Sequence, residues 1–433
     1  MPIVPHSLPG LSTPSETPAA AALGIYGRNV STASQWAKGD AIIRRFALQA
    51  AARSLLPREA VSRCYRWLRP AGRRNVDIAD TGTEITVITP RAVAVDVLYS
   101  PENQAGLLGG LETCRSVWHC PVCSAKITER RRVELAQGLH NWYGQEQPGR
   151  VLLVTFTMQH TQADGLRELM QVLTRARRLL LTGRWWQSFR ERHQLVGQVR
   201  ALEVTVGENG WHPHLHCLFF FAGEVDWLVV RDELKARWAF AVRRVGTGRW
   251  ASLAHGVDVR YSREDVADYV AKYGYEPSWA GSDPICTLGA EGGWSTAHEM
   301  TKNPVKLGRA GGRTPMQLLA DYMAGDLKAG LLWQRYALVM KGQRQLFWTP
   351  HLRAQLGLGV ELTDEELADE QDAMGILLAR LTPEQWRVVL ANDARGELMN
   401  AAATGDVEVV RNLLRDLGAD LGDDLVPFME DAA

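Results

Sequence analysis

The sequence lacks the features that mark membrane and secreted proteins. No apolar run in its 433 residues approaches the ~18 residues that span a bilayer. The first five residues, MPIVP, have neither the basic stretch nor the long apolar segment that a secretory signal requires. Cysteine is scarce, with six residues in the whole chain. We therefore expect a cytoplasmic protein without membrane contact, in which the thiols do not form disulfides.

Net charge is also absent from the chain as a whole, because 49 Lys and Arg balance 49 Asp and Glu. This balance conceals three differently charged segments. Residues 1–125 carry +4 (13 basic against 9 acidic), residues 126–345 carry +8 (30 against 22) and residues 346–433 carry −12 (6 against 18). A basic middle followed by an acidic end is typical of a polyanion-binding core with a separate tail.

Composition and periodicity predict how the chain is divided. Residues 1–33, rich in Pro, Ser, Thr and Ala at their start, are expected to be disordered. Residues 34–145 begin with a helical pattern and continue with a hairpin of two strands within residues 83–98. Residues 146–280 form the core, and residues 351–433 are expected to be an acidic helical tail.

A cysteine-rich stretch follows the expected hairpin. Cys120 and Cys123 form a CxxC pair, whose spacing lets two thiolates bind one tetrahedral metal, and Cys114 is a third sulfur within reach. A second CxxC is missing, so the fourth ligand has to come from elsewhere, and Cys64 is the preferred candidate. Two histidines are alternatives, His119 and His140. The sequence favours a structural zinc site over buried, unligated cysteines.

The core has a regular order of elements, β-α-β-β-α-β. Its strands are predicted at residues 151–157, 199–206, 213–221 and 256–261, and its helices at residues 164–181 and 227–245. This order is typical of a ferredoxin-like, or RNA-recognition-like, antiparallel sheet with helices on one face. The predicted class is therefore α+β.

Two histidines lie in the apolar third strand of this core. His214 and His216 are two residues apart, so their side chains point to the same face of the strand. A four-residue turn before the strand would place Glu203 opposite His214, on the same face. Two imidazoles and a carboxylate with open positions suit Mg²⁺ or Mn²⁺. His212 is expected at the turn, which disfavours a zinc hydrolase built on three histidines.

Two tyrosines follow the last predicted strand. Tyr269 and Tyr273 are four residues apart in a predicted helix, so both hydroxyls share one helix face. Tyrosine serves as a covalent nucleophile in enzymes that conserve a high-energy bond. Lys272 could lower the cost of forming a phenolate, although it points away from its neighbour on a helix. Attack on a phosphodiester would nick DNA, and a second tyrosine allows a second transfer.

Four segments resemble, in the same order, motifs of the HUH endonucleases, the superfamily of rolling-circle replication initiators and relaxases. They are Cys114–Cys123 (the cysteine motif of plasmid initiators), Thr155–Thr157 (the first strand motif), His214–His216 (the HUH motif) and Tyr269–Tyr273 (the tyrosine motif). Thr314–Leu319 and Lys341–Gln345 resemble later segments of plasmid initiators. The resemblance covers about residues 60–350, which makes residues 281–350 a family-specific part.

The resemblance implies an enzyme that binds a plasmid double-strand origin and nicks one strand through Tyr273. It would remain attached to the 5′ phosphate and leave a 3′ hydroxyl for a host polymerase, with a host helicase as a further partner. Many plasmid members carry a glutamate at the place of Tyr269, whereas the phage initiators carry tyrosine, which implies two alternating tyrosines. Glu276 stands where the family commonly has a basic residue, so a contribution from that position is not expected. The residues that bind DNA elsewhere are not identified.

Two other functions are compatible with parts of this pattern. A two-tyrosine HUH transposase would use the same chemistry at a transposon end instead of a plasmid origin. A regulator that binds the origin without cutting it would not need His214, His216 and Tyr273, and their presence argues against it.

Overall fold

The computed structural model describes residues 33–78, 83–89, 91–101, 103–246, 248–262, 300–301, 312–369 and 375–419. These residues form a mixed α/β protein whose strands pair antiparallel in three sheets of two, three and five strands, which confirms the predicted mixture of helices and antiparallel sheet. None of the helices in these ranges combines the length and the apolar character that a bilayer crossing requires.

The amino-terminal part contains the two smaller sheets. Its elements are α1 (Ala33–Leu55), a 3-10 turn (Ala60–Ser62), β1 (Gly72–Ile78), β2 (Thr83–Thr89), β3 (Val95–Ser100), β4 (Ala105–Gly109) and α2 (Pro121–Tyr143). The expected hairpin of β2 with the strand after it is wrong, because β2 pairs with β1 and β3 pairs with β4. The Ala92 N–H, between β2 and β3, donates to the Arg69 carbonyl at 2.9 Å. The segment is therefore hydrogen-bonded to the chain before β1 and is not the turn of a hairpin.

The middle of the chain forms the five-stranded sheet. Its elements are β5 (Arg150–Phe156), α3 (Leu166–Leu180), α4 (Gly183–Arg192), β6 (Leu195–Gly207), β7 (Gly210–Phe221), α5 (Trp227–Val245) and β8 (Val257–Tyr261). Each predicted core element is present, with bounds shifted by up to four residues, and α4 was not predicted. The sheet order is β8-β5-β7-β6, with the short strand β9 (Leu346–Trp348) added beside β6.

Both faces of the central sheet are covered, which explains why β7 is so apolar. Leu215, Cys217 and Phe219 pack with the buried faces of α3 and α5. Leu218 and Phe220 point the other way and pack with Leu135, Leu139 and Trp142 of α2. A strand that is buried on two sides reads as a continuous apolar run because neither face meets water. The histidines of β7 lie on the same face as Leu218 and Phe220, which α2 covers.

The carboxyl-terminal part returns to the amino-terminal sheet. After α6 (Pro315–Met323), α7 (Leu327–Met340) and β9 come α8 (Leu352–Gln355), α9 (Asp364–Asp369), β10 (Ile376–Leu381), α10 (Pro383–Ala391), α11 (Arg395–Ala402) and α12 (Val407–Asp416). The segment expected to be a separate helical tail instead supplies β10, which pairs with β3. Its acidic residues also contact basic ones, since Asp364 accepts from Arg131 of α2 at 2.6 Å. The tail therefore completes the fold, and its charge compensates nearby arginines.

Substitution of Gly106 in β4 tests how closely the tail packs on this sheet. A Cβ at this position would lie 1.9 Å from the Met399 carbonyl oxygen and 2.7 Å from the Ala402 Cβ of α11. We expect Gly106→Ala to lower the free energy of unfolding by about 1–3 kcal/mol, since β4 and α11 must move apart. Denaturant unfolding measures the change. Gly109→Ala in the same strand is the matched control, because its nearest neighbour would be a flexible leucine methyl at 3.4 Å. Equal losses for both variants would contradict the close approach.

Candidate metal centres

The hairpin of β6 and β7 positions three polar side chains on one face of the central sheet. Glu203 pairs with His214 and Ala201 pairs with His216, which confirms the register that the sequence predicts. The two strands are joined through a Gly207–Gly210 pair that encloses a two-residue loop. Gly210 has φ +86°, and a Cβ there would lie 2.8 Å from the Thr161 carbonyl oxygen, so both its conformation and its surroundings require glycine.

The three side chains converge on one point. Glu203 Oε2 lies 2.9 Å from His214 Nε2 and 2.8 Å from His216 Nε2. One ligand atom from each residue lies within 4.8 Å of the other two. The Glu203 side chain is 2% exposed, whereas that of His214 is 12% exposed. The cluster is therefore buried, with His214 as its more accessible member.

The outer nitrogen of each imidazole is also bound. His216 Nδ1 lies 3.1 Å from Thr155 Oγ1 of β5, and His214 Nδ1 lies 3.2 Å from the His212 carbonyl oxygen. When Nδ1–H donates to such an acceptor, Nε2 keeps its lone pair and points at the centre of the cluster. Both Nε2 atoms are thus directed at the Glu203 carboxylate. Two imidazoles and a carboxylate that share one point fit a divalent cation.

His212 belongs to the same row, and the expectation that it lies in the turn is wrong. The turn is tighter than the sequence suggests, so β7 begins at Gly210 and His212 sits on the face of His214 and His216. Its Nε2 lies 2.6 Å from Thr157 Oγ1, and its ring stacks on His160 at 4.8 Å between centroids. The pKa of His212 is lowered to about 3. Burial is the largest cause, and the neighbouring imidazoles of His214 and His160 add to it.

These contacts give His212 a different role from that of the cluster. It is not among the three residues whose ligand atoms meet, so the described residues do not assemble a three-histidine site. The alternation of His212, His214 and His216 in the sequence is the signal that could have placed it on their face. Thr155 and Thr157 contact His216 and His212 across strands that are far apart in the sequence. No local sequence pattern predicts these contacts.

Tyr269, Lys272 and Tyr273 lie outside the described residues. The strand that precedes them, β8, pairs with β5, which in turn pairs with β7. Asp258 and His216 are both partners of Thr155, so β8 lies two strand spacings from the metal cluster, or about 10 Å. The chain leaves the sheet at Ser262, level with Val151 and 11 residues before Tyr273.

A second cluster contains the four cysteines proposed for zinc. Cys64 Sγ lies 3.8 Å from Cys120 Sγ and 3.6 Å from Cys123 Sγ, and Cys114 Sγ lies 3.7 Å from Cys123 Sγ. All four sulfurs lie within 4.8 Å of one another. The structure therefore brings Cys64, from the segment after α1, to the three cysteines around the start of α2. Four sulfurs at this spacing fit a tetrahedral zinc ion.

The surroundings of the sulfurs differ. Burial raises the pKa of the Cys64 and Cys114 thiols. Burial also acts to raise the pKa of Cys120, but hydrogen bonds from Cys114, Cys123 and Cys64 outweigh it and hold that pKa well below its ordinary value. Cys120 is the N-cap of α2, where the helix dipole favours a thiolate.

A buried arginine of the tail lies behind this cluster. Arg395, fully buried, donates to Gln49 Oε1 at 2.8 Å, and Gln49 Nε2 donates to Cys120 Sγ at 3.1 Å. Its guanidinium also stacks over the Phe46 ring, 4.9 Å from the centroid. A positive charge near the sulfurs partly compensates the negative charge that four thiolates would bring.

The other candidate ligands lie elsewhere. His119 Nε2 is within hydrogen-bond distance of the Ala337 carbonyl oxygen, at 2.8 Å, and burial lowers its pKa. His140 is 17 residues after Cys123 in α2, which puts it ~26 Å farther along the helix axis. Cys217 lies on the opposite sheet face from the histidines, and burial raises its pKa to about 12. Cys286 is outside the described residues.

The chain is similar to known replication proteins. A family model described as Replication protein matches residues 107–226, which include three of the clustered cysteines and all of the Glu203–His214–His216 cluster. The chain is similar to Protein rep of Streptomyces lividans, with 27% identity over 69% of this chain and 76% of the relative. It is also similar to the neomycin resistance protein of Streptomyces cyanogenus, with 29% identity over 45% of this chain and 48% of the relative. No solved structure matches. These matches support a replication protein.

Glu203 supplies the charged ligand of the histidine cluster, so its replacement tests whether the cluster binds a cation. We expect Glu203→Gln to weaken Mn²⁺ binding by more than about tenfold, because the amide keeps the shape and removes the negative charge. Titration followed by electron paramagnetic resonance of free Mn²⁺ measures the affinity. Glu208→Gln, in the exposed two-residue loop of the same hairpin, is the matched control. Equal Mn²⁺ affinity in both variants would refute the assignment.

Proposed function

We propose that this chain is a plasmid replication initiator of the HUH endonuclease type, which starts rolling-circle replication by nicking one DNA strand. The Glu203–His214–His216 cluster carries the proposal, because it lies within the region that matches replication proteins. The antiparallel sheet order β8-β5-β7-β6, with α3 and α5 on one face, is compatible with a ferredoxin-like sheet and supports the same assignment.

His214, His216 and Glu203 would hold Mg²⁺ or Mn²⁺. The bound cation would polarise a phosphoryl oxygen and neutralise the charge that develops on it. Thr155 and the His212 carbonyl orient the two imidazoles through their Nδ1 atoms. Burial of Glu203 keeps its carboxylate directed at both rings and away from water. The scissile phosphate would approach from the side of His214, the more exposed ligand.

Tyr273 is the proposed nucleophile. Its phenolate oxygen would attack the phosphorus, the bond from phosphorus to the 3′ oxygen would break, and that oxygen would take up a proton. The products are a 5′-phosphotyrosine and a free 3′ hydroxyl, from which a host polymerase extends after a host helicase opens the duplex. Forming a phenolate at neutral pH costs about 4 kcal/mol, which a nearby cation or Lys272 could reduce.

Tyr269 would then perform the second transfer and rejoin the displaced strand. The length of chain between the sheet and the tyrosines supports a role for both of them. The sheet ends at Ser262, whose N–H donates to the Val151 carbonyl at 3.0 Å. Eleven residues separate Ser262 from Tyr273 and can span ~16 Å as a helix and ~36 Å when extended. Val151 pairs with Phe220, four residues along β7 from His216, so Ser262 lies ~17 Å from His216 once the two strand spacings are added. The chain is therefore long enough to return to the cluster.

The four-cysteine cluster is proposed to bind one structural zinc ion. Its sulfurs join the segment after α1 to the start of α2, and Gln49 and Arg395 connect it to α1 and the tail. A tetrahedral site with four protein ligands leaves no open position for substrate, so its contribution is to folding.

Covalent capture of DNA tests the nicking proposal. A single-stranded oligonucleotide that carries the origin nick site, incubated with the full chain and Mn²⁺, should give a protein–DNA adduct that survives denaturing electrophoresis. Tyr273→Phe should abolish the adduct, because it removes the attacking oxygen. Tyr269→Phe should keep the adduct and lose the rejoined product, and Tyr275→Phe is the matched control that should change neither.

Two results would decide against this mechanism. An adduct that persists when both Tyr269 and Tyr273 are replaced would exclude tyrosine as the nucleophile. Cleavage at transposon ends, with none at a plasmid origin, would instead identify a two-tyrosine transposase.

Metal analysis tests the zinc proposal. The purified protein should contain one zinc ion per chain, and Cys123→Ser should lose the ion and lower the melting temperature, because metal binding contributes to folding. Cys217→Ala is the matched control, since this cysteine is buried on the central sheet away from the cluster. Folded protein without zinc would contradict the proposal.

A further inference from the structure

The helical face of the central sheet has a marked excess of basic over acidic residues. Helices α3, α4 and α5 together contain 12 Lys and Arg against 4 Asp and Glu, a net +8. This equals the net charge of the whole of residues 126–345. These three helices therefore form a basic surface on the side of the sheet opposite the Glu203–His214–His216 cluster.

The acidic residues on these helices are mostly paired, and several arginines are not. Glu233 accepts from Arg192 at 2.5 Å, and Asp232 accepts from Arg231 at 2.9 Å. By contrast, four exposed arginines have no carboxylate partner within the described ranges. They are Arg175 and Arg178 of α3 and Arg243 and Arg244 of α5.

Two contacts place these four arginines side by side. Arg237 of α5 donates to the Leu179 carbonyl of α3 at 3.0 Å, and a Cβ on Gly246 would lie 3.4 Å from Val172. Helices α3 and α5 are therefore antiparallel, and residues 173–178 lie level with residues 239–244. Phe240, 51% exposed, lies in the middle of this group. We call the four arginines and Phe240 the helical basic surface.

We propose that the helical basic surface binds the phosphate backbone of double-stranded DNA, separately from the strand that enters the metal site. Arginines projecting from two rigid helices form a convex surface that can follow a duplex backbone. Single-strand sites instead use grooves with free aromatic faces for stacking. Here Trp185 stacks on Phe189, and Arg237 lies over the rings of both Trp185 and Phe240, so these rings already have stacking partners.

This inference rests on the proposed function, because it assigns the duplex part of the origin to a surface of its own. The metal cluster and the helical basic surface lie on opposite faces of one sheet, with a helical layer about 10 Å thick on the basic side. A strand held at Glu203 cannot contact Arg175 without passing round the sheet edge. Two DNA segments can therefore bind at the same time.

Salt-dependent duplex binding tests the surface. Fluorescence anisotropy with a duplex of arbitrary sequence and three helical turns, without a nick site, should give a steep loss of affinity between about 50 and 200 mM salt. Arg175→Glu/Arg178→Glu should weaken binding at least about tenfold and reduce the slope of log affinity against log salt by about 2, one unit for each lost phosphate contact. Arg243→Glu/Arg244→Glu should act in the same way.

The controls separate this proposal from the nicking proposal. Arg58→Glu/Arg415→Glu reverses the charge of two exposed arginines outside the helical basic surface. This variant should leave the slope of log duplex affinity against log salt unchanged. Adduct formation with a short single-stranded oligonucleotide should be unaffected by the surface variants, so failed nicking and failed duplex binding give different results. If the glutamate variants do not fold, Arg175→Gln/Arg178→Gln should lower the slope by the same amount.

Two outcomes would overturn the inference. The first is duplex affinity and a salt slope that match those of the control variant. The second is a larger loss of affinity for a single strand of the same length than for the duplex, which would make the helical basic surface a single-strand site.

Discussion

A buried carboxylate shared by two imidazoles is the constraint on which the proposed active site depends. Glu203 is accessible to water over only 2% of its side chain, and its Oε2 contacts both His214 and His216. A buried charge of this kind is tolerated when it is hydrogen-bonded or neutralised by a cation. The register of β6 and β7 places it there, and shifting this register by one residue would turn Glu203 to the other face. The tight Gly207–Gly210 connection is therefore as important to the site as the ligands.

The same constraint explains which parts of the site can be predicted from sequence. A glycine-bounded turn between two alternating strands determines which residues face each other, so Glu203 could be placed opposite His214 without a structure. The length of the turn was harder to predict, because Gly207 and Gly210 pair and extend the strands by a residue on each side. His212 was misplaced for this reason. Thr155 reaches His216 across a strand pair that no local pattern specifies.

The amino-terminal region was less predictable for a related reason. Two neighbouring β-rich segments read as a hairpin, but β2 and β3 each find other partners, and one partner of β3 is β10 near the opposite end of the chain. Local patterns identify strands, whereas pairing over such separations depends on which faces are buried in the complete fold. The cysteine cluster was easier to predict from the sequence, because a tetrahedral site requires a fourth ligand. Cys64 lies beside the other three cysteines in the structure.

The link between Arg395 and Gln49 has a consequence for how the protein is made. The two residues are 346 positions apart, and β10 pairs with β3 over a comparable separation. At typical translation rates, Gln49 leaves the ribosome roughly 20 to 70 s before Arg395 does. During that interval β3 lacks one neighbour, and its backbone groups on that side are open to pairing with other chains. The amino-terminal region of the nascent chain is thus exposed to mispairing until β10 has been made.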